Sequence, residues 1–287
     1  MSDVTGDGMV KHATAAPASG VVVRRFDRFD RVLHGLLMLS FLGLAFTGLP
    51  LLFSAHEWAS FLSRLFGGFH IAGLLHRFFA LLMIVVFGLH LAKLARRLFV
   101  KKEYFILWGP RSLVPQPRDI KDLLQHFRYF VGLGPRPRFE HFTYWEKFDY
   151  WAVFWGMGII GGSGLMLWFP KLFSRVLPGW AFNIGLLIHG EEALLAVVFI
   201  FTTHFFNGHL RPEKFPMDTV IFTGRIPLEE IRHERAGEFD RLTAEEIEGL
   251  KMPAASPQLL RASRVIGTVA VLLGLTMVVL TIYAFVS

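Results

Sequence analysis

Long apolar stretches without charge alternate along this chain with short basic segments. Residues 32–53, 78–92, 150–170 and 265–287 contain no Asp, Glu, Lys or Arg, and residues 180–210 are interrupted only by Glu191 and Glu192. A helix needs about 20 apolar residues to cross a bilayer, and a helix satisfies its own backbone polar groups in lipid. The pattern predicts an all-α integral membrane protein with five spanning helices, at residues 32–53, 71–95, 149–170, 181–207 and 264–286.

Composition and charge support a membrane protein and predict its orientation. The chain is 53% hydrophobic and 18% charged, whereas soluble domains carry about 25% charged residues. Segments 1–31, 93–147 and 208–264 hold 5, 12 and 9 Lys and Arg residues, which leaves 4 of the 30 for the other side. Because basic loops stay in the cytoplasm, we expect a cytoplasmic N-terminus and a C-terminus outside. The bases flank spans and form no single patch, so no nucleic-acid partner is expected.

The predicted organisation has four parts. Residues 1–23 are expected to be a disordered cytoplasmic N-terminus, and residues 24–210 a four-helix membrane domain that includes a cytoplasmic loop at 98–147. Residues 211–263 form a charged cytoplasmic segment, and residues 264–287 form the fifth spanning helix. Within the loop, residues 118–130 have the spacing of an amphipathic helix on the inner membrane surface, and Thr243–Glu246 has the pattern of a helix capping box.

Histidines are the polar groups that stand out within the spans. The chain has no Cys, which excludes disulfides, thiolate iron–sulfur clusters and covalent haem attachment. Ionisable side chains within a membrane are candidates for function. By depth, five histidines fall into an outer layer and an inner layer: His76 and His189, then His34, His90 and His204.

Histidine spacing suggests that one helix face serves both layers. His76 and His90 are 14 residues apart, and His189 and His204 are 15 apart. At about 1.5 Å and 100° per residue, each pair is separated by about 21 Å along its helix and turned by about 40–60°. Facing helices could then hold two stacked haems through axial imidazoles, although depth alone does not choose between His34 and His90 as the partner of His204.

Other interpretations of these polar and small residues stay open. A lone histidine in a span is commonly hydrogen-bonded to a neighbour, a zinc site needs ligands at one depth, and a proton relay needs more carboxylates. The small residues of Gly156–Gly164 suit either close approach of a macrocycle or helix packing. Glu191 and Glu192 could make a structural hydrogen bond, orient an imidazole, carry protons or face water.

Several of these segments together resemble a known family. They are Arg28–His34 (RFDRVLH), Leu75–Phe79 (LHRFF), Gly164–Trp168 (GLMLW), Leu186–His189 (LLIH) and His204. Over residues 24–210 the chain resembles the di-haem cytochrome b membrane subunit of respiratory formate dehydrogenases and nickel–iron hydrogenases. The resemblance implies that His76 and His189 hold an outer haem and that His34 and His204 hold an inner one.

His90 departs from the family pattern. It could be an alternative ligand, a ligand of a third haem, or a partner of a propionate or water. A third bis-histidine haem would need a sixth histidine, such as His209 or His70. The expected cofactors are therefore two b haems, or three if His90 is a ligand.

The resemblance also implies the role of the chain and its location, a bacterial or archaeal cytoplasmic (inner) membrane. Family members pass electrons between a redox partner on the outer (periplasmic) side and quinone near the inner haem. We therefore expect a membrane cytochrome b subunit with no catalytic residue of its own, exchanging electrons with the quinone pool (menaquinone or ubiquinone). The partner would be a periplasmic or membrane-attached subunit, such as a multihaem cytochrome c, an iron–sulfur protein or a catalytic subunit. Outer loops at about 54–70 and 171–180 would form its dock, and the fifth span, which lies outside the family pattern, could anchor that partner.

Candidate quinone residues precede the third span. They are Thr143, Tyr144, Glu146 and Lys147, of which Lys147 matches the family pattern while Thr143 and Glu146 depart from it. These residues could equally be interfacial anchors.

Three arginines are candidates to pair with haem propionates: Arg28, Arg31 and Arg77. For the two inner ones, a plain topology signal is the alternative.

Two further functions compete with the electron-transfer subunit. One is a self-contained transmembrane haem reductase, although the chain has no Gly-rich dinucleotide fingerprint. The other is a transporter or membrane anchor that uses its histidines for protons. The direction of electron flow would depend on the potentials at both ends.

Overall fold

Five long helices dominate the computed structural model, which describes residues 20–287. Each helix is long and apolar enough to cross a membrane, and together they confirm the predicted all-α membrane class. We call them the first to fifth spanning helices: Arg28–Leu52, Phe69–Val100, Tyr144–Trp168, Gly179–Leu210 and Pro257–Val286. They begin two to seven residues before the predicted spans, because charged and capping residues continue the helices beyond the apolar runs.

Local signals mark where the spanning helices begin. Asp27 caps the first helix by accepting a hydrogen bond from the Asp30 backbone N–H at 2.7 Å. Ser256 caps the fifth helix in the same way, and Pro257 occupies its first turn, where a missing N–H costs nothing. Thr143 and Glu146 form a reciprocal capping box at the start of the third helix, which fixes its first residue more firmly than hydropathy could.

The segments between the spans form a cap at one end of the bundle. We define the cap as residues 20–27, 101–143 and 211–256, the inner end of the bundle as the cap end, and the outer end as the opposite one. Strand β1, Val22–Arg24, pairs antiparallel with β2, Arg225–Pro227. The shorter helices of the cap are Tyr104–Ile106 (3₁₀), Pro117–Phe130, Val220–Thr223, Leu228–Glu234, Ala236–Phe239 and Ala244–Leu250. The three basic segments predicted to share one side thus meet at one end.

The cap tests two local predictions. The capping box at Thr243 begins the helix Ala244–Leu250 as predicted. The predicted disordered segment 1–23 lies outside the described residues up to residue 19, while Val22 and Val23 are ordered in β1. Val23, only 2% exposed, packs with Ile226 and Ile231 in a small core, so the N-terminal disorder predicted for residues 22 and 23 was wrong.

Buried charged side chains join the segment after strand β1 to the helix Ala236–Phe239 of the cap. The Arg25 side chain is 2% exposed and donates two 3.1 Å hydrogen bonds to the Glu238 carboxylate, and His141 contacts both residues. Burial opposes ionisation of Glu238, but His141 and Arg25 outweigh it and lower the Glu238 pKa to about 2. Burial, followed by the nearby Arg25 charge, also lowers the pKa of His141.

The helix Pro117–Phe130 confirms the predicted amphipathic helix. Its polar side faces the protein, where Asp119 accepts from Lys147 at 2.8 Å and Arg118 pairs with Glu140. Its apolar side is exposed and consists of Ile120, Leu123, Leu124, Phe127 and Phe130. An apolar stripe turned away from the protein suits the predicted position on a membrane surface.

The fifth spanning helix belongs to the core of the bundle. Met277, 2% exposed, lies in one cluster with Phe201 of the fourth helix and Leu49 of the first. Gly274 allows this contact, because a Cβ there would lie 2.5 Å from the Phe201 ring. Short outer helices, Glu57–Leu65 and Pro170–Phe173, connect the spans at the other end.

Candidate cofactor site

His76 and His189 face each other near the outer end, one from the second and one from the fourth spanning helix. Their ring centres are 6.2 Å apart, and the ring planes are inclined by 83°. A metal–imidazole nitrogen bond is about 2 Å and the ring centre lies about 1 Å beyond it, so two imidazoles on opposite sides of one metal have ring centres about 6 Å apart. The spacing fits a bis-histidine metal.

Hydrogen bonds fix the tautomer of both rings. His189 Nδ1 lies 3.0 Å from the Ile160 carbonyl oxygen, which can only accept, so Nδ1 carries the proton. His76 Nδ1 lies 3.1 Å from Thr47 Oγ1, and the Thr47 hydroxyl donates to the Gly43 carbonyl at 2.6 Å. His76 Nδ1–H is therefore the donor to Thr47. In both rings Nε2 keeps its lone pair, and a metal-binding histidine commonly holds its other nitrogen in this way.

Glycines in two helices support the imidazoles. A Cβ at Gly48 would lie 2.9 Å from His76 Cε1, and a Cβ at Gly164 would lie 3.0 Å from His189 Cε1. The close approach at Gly164 explains part of the predicted glycine stretch, whereas Gly158 and Gly162 have nothing within 4 Å of an added Cβ. The backbone at these two glycines is therefore open to close approach by another group, and neither glycine is needed to make room for the His189 ring.

A π-helical turn in the third helix supplies the carbonyl for His189. Residues Met157–Gly161 have π-helical hydrogen bonding, and Ile160 lies within that turn. Such turns alter the usual backbone pairing and occur often at functional sites. The fourth helix has two further π turns, Ile200–His204 and Phe206–Leu210, which contain His204 and His209.

Three histidines gather near the inner end. His204 Nδ1 lies 2.9 Å from Asp149 Oδ2 of the third helix. A carboxylate accepts, so His204 Nδ1 carries the proton and Nε2 is the free nitrogen. His34 lies on the first helix, which packs against this part of the fourth helix through Phe41 and Phe201, whose ring centres are 5.6 Å apart. Nδ1 of His209 is buried and has no hydrogen-bond partner among residues 20–287.

His90 has a partner of its own in the inner half. Its Nε2 lies 2.9 Å from the Tyr150 hydroxyl, and its ring also packs against Phe154 at 6.2 Å. This contact ties the second helix to the third. His90 Nε2, the nitrogen that would bind a metal, is thus already hydrogen-bonded to Tyr150.

The three candidate arginines have different surroundings. Arg77, beside His76 in sequence, lies 5.9 Å from the Trp168 ring centre. Arg31 donates to the Phe222 carbonyl oxygen at 2.8 Å, which joins the first helix to the cap. Arg28 is exposed at the start of the first helix.

The candidate quinone residues are occupied within the protein. Thr143, 2% exposed, shares the capping box with Glu146, and Glu146 accepts from Arg235 at 2.9 Å. Lys147 is paired with Asp119, and the Tyr144 hydroxyl lies 3.1 Å from His126 Nδ1. These contacts join the third helix to the cap, as anchors would.

A metal cluster held by protein alone does not occur in the described part of the chain. Residues 20–287 contain no group of three or more His, Asp or Glu side chains arranged to hold a metal ion, as a zinc site would require. Haem needs only one protein ligand on each side of its iron, and the His76–His189 pair meets that need.

Of the two carboxylates within the fourth spanning helix, Glu192 accepts a 3.1 Å hydrogen bond from the Trp155 indole N–H.

Sequence reasoning did not identify two residues that orient the histidines. Thr47 lies 29 positions from His76, and Asp149 lies 55 positions from His204, so only the packing of the helices brings them together. Asp149 did carry a signal, since a carboxylate at the start of an apolar span needs a partner. The capping pattern T-x-x-E at Thr143 was also visible and predicts a structural role.

Comparison with known proteins adds no family assignment. No protein-family model matches the sequence, and no curated protein was found to be similar to it. The resemblance to di-haem cytochrome b subunits therefore stays a prediction that rests on the residues themselves.

Proposed function

We propose that this chain is a membrane cytochrome b subunit that carries electrons through two bis-histidine b haems. The observation that carries the proposal is the His76–His189 pair, with ring centres 6.2 Å apart and each Nδ1 held by a hydrogen-bond acceptor. A histidine pair that served helix packing alone would have no need to keep both Nε2 nitrogens free.

Each residue of the outer pair has a defined task. His76 and His189 would hold the haem iron through Nε2, Thr47 and the Ile160 carbonyl would keep the rings in the ligating tautomer, and Gly48 and Gly164 leave room for the rings. Bound haem supplies one-electron chemistry, which no side chain of this composition provides. The protein binds the group and tunes it.

At the inner end, His34 and His204 are the proposed ligands. Asp149 orients His204 through Nδ1, and His34 lies on the first helix, which packs against the fourth through the Phe41–Phe201 contact. We assign His90 to the contact between the second and third helices, because Tyr150 engages its Nε2. Two haems per chain are therefore proposed, with their histidine layers about 21 Å apart along the helices.

The two ends would meet different partners. The short outer segments contain Arg64, Lys171 and Arg175 against the single carboxylate Glu57, so the proposed redox subunit would dock through an acidic surface. Quinone would exchange near the inner pair. Thr143, Glu146 and Lys147 hold the third helix to the cap, and we propose that they fix the position of a quinone site without contacting the quinone. Tyr144, which is half-buried, is the candidate residue able to contact it.

Orientation follows from the cap. It gathers most Lys and Arg residues of the chain, so we propose that it lies in the cytoplasm of a bacterium or archaeon. The fifth helix is packed against the first and fourth, and we therefore assign it to the bundle itself and not to anchoring of a partner.

An absorption spectrum of the purified full-length protein tests the proposal. Protein from haem-sufficient cells should show a Soret band and reduced b-type peaks. His76→Ala should lose about half of the haem, while His233→Ala, whose side chain is 79% exposed, should lose none. A colourless wild-type protein would overturn the proposal, as would equal haem in both variants.

A further inference from the structure

The hydrogen-bond partners of the proposed ligands differ between the two ends. At the outer end, His76 is bonded to a hydroxyl and His189 to a backbone carbonyl, with Ser163 Oγ at 3.3 Å as a second neighbour. At the inner end, His204 is bonded to a carboxylate, Asp149, at 2.9 Å. All the outer partners are neutral, whereas the inner partner is an acid.

A carboxylate changes an imidazole more than a neutral acceptor does. By attracting the Nδ1 proton, it raises the basicity of Nε2 and so makes the ring a stronger electron donor to a metal. A stronger donor favours oxidised iron and lowers the reduction potential, which also responds to net charge near the site. Asp149 therefore acts on the inner site alone.

We propose that Asp149 is a positioning residue that sets the inner site of the electron path at a lower reduction potential than the outer site. This inference rests on the proposed function, because it requires haem at both histidine pairs. Its consequence is a direction: at equilibrium an electron resides at the outer end, so the arrangement favours transfer from the inner end to the outer partner.

A redox titration of the haem-loaded, full-length protein tests this order. The wild type should titrate in two components. Asp149→Asn keeps the shape but removes the charge, and it should raise only the lower component, by at least tenfold in the redox equilibrium, or about 59 mV for one electron. Asp149→Glu should stay near the wild type. Thr47→Val, which changes a neutral partner at the outer end, should leave the lower component in place.

Ligand variants assign the components independently of Asp149. His204→Ala should leave only the higher-potential component, and His189→Ala only the lower one. The inference is overturned if two haems bind and Asp149→Asn moves neither potential, or if the component that survives His204→Ala is the lower one. Should Asp149→Asn lose the inner haem, the two ligand variants decide alone. Wild-type protein without haem would instead overturn the proposed function, so the two failures are distinguishable.

Discussion

His189 of the fourth spanning helix donates its Nδ1 proton to the carbonyl oxygen of Ile160 in the third, across 3.0 Å. The carbonyl belongs to a π-helical turn, Met157–Gly161, so an irregularity in one helix fixes the tautomer of a histidine in another. Together with the Thr47–His76 contact, it leaves two Nε2 lone pairs on rings that face each other.

Removing the Thr47 hydroxyl should weaken haem binding at the outer pair. Thr47→Val keeps the shape of the side chain but takes the acceptor from His76 Nδ1, and loss of such a partner costs about 10–100-fold in metal affinity. The measurement is the rate and extent of haem transfer from the detergent-solubilised protein to an apoprotein acceptor. Thr202→Val is the matched control, because the Thr202 hydroxyl bonds only to its own helix, at the Val198 carbonyl. Equal transfer from the two variants would contradict the role of Thr47.

Adding one methyl group beside either outer histidine should displace its ring. A Cβ at Gly48 or Gly164 would lie 2.9 or 3.0 Å from the nearest imidazole atom, closer than nonbonded carbon atoms pack. Gly48→Ala and Gly164→Ala should each lower bound haem toward one per chain. Gly88→Ala and Gly162→Ala, where an added Cβ meets nothing within 4 Å, should keep two. Haem retention that is the same in all four variants would count against the proposed site.

Replacing His90 should leave the haem content unchanged. His90→Phe removes the hydrogen bond to Tyr150, which contributes about 1 kcal/mol to stability, and Tyr150→Phe removes the same bond from the other side. Both variants should carry two haems and show similar, small losses in thermal stability. A haem lost from His90→Phe but kept by Tyr150→Phe would make His90 a ligand.

The spanning helices and the amphipathic helix were predictable because each depends on a local pattern. Long uncharged apolar runs predicted the spanning helices, and the spacing of apolar residues within 118–130 predicted the amphipathic helix. Strands β1 and β2 were not predictable, since each has three residues and they pair across about 200 positions of the chain. The depth layers of the histidines could be predicted from spacing, but their partners Thr47, Ile160 and Asp149 could not. Which helix faces which is decided by packing between distant segments.

Neutralising Glu238 should destabilise the cap at neutral pH. The carboxylate pKa is lowered from 4.5 to about 2, so its ionised form contributes about 3 kcal/mol to folding at pH 7. Glu238→Gln should reduce the unfolding free energy by an amount of that order, because it leaves Arg25 buried beside an uncharged partner. The measurement is denaturant unfolding, with the unfolded fraction at each concentration monitored by proteolysis of the cap.

The effect of Glu238 should depend on pH in a defined direction. Its folded-state pKa is below the unfolded value, so its contribution is complete above about pH 4.5 and is lost as the pH falls toward 2. The stability difference between wild type and Glu238→Gln should shrink over that range. Glu248→Gln is the control, since Glu248 is 71% exposed and pairs only with Lys251. A difference that is constant from pH 7 to pH 3 would contradict the account of this ion pair.

The number of haems per chain, measured by pyridine haemochrome on the purified full-length protein, tests the central claim most directly. The account predicts two in the wild type, one when either His76 or His189 is changed to Ala, one when either His34 or His204 is changed, and none when His76 and His34 are changed together. A wild-type value of zero, or a value of two that survives all of these substitutions, would contradict it.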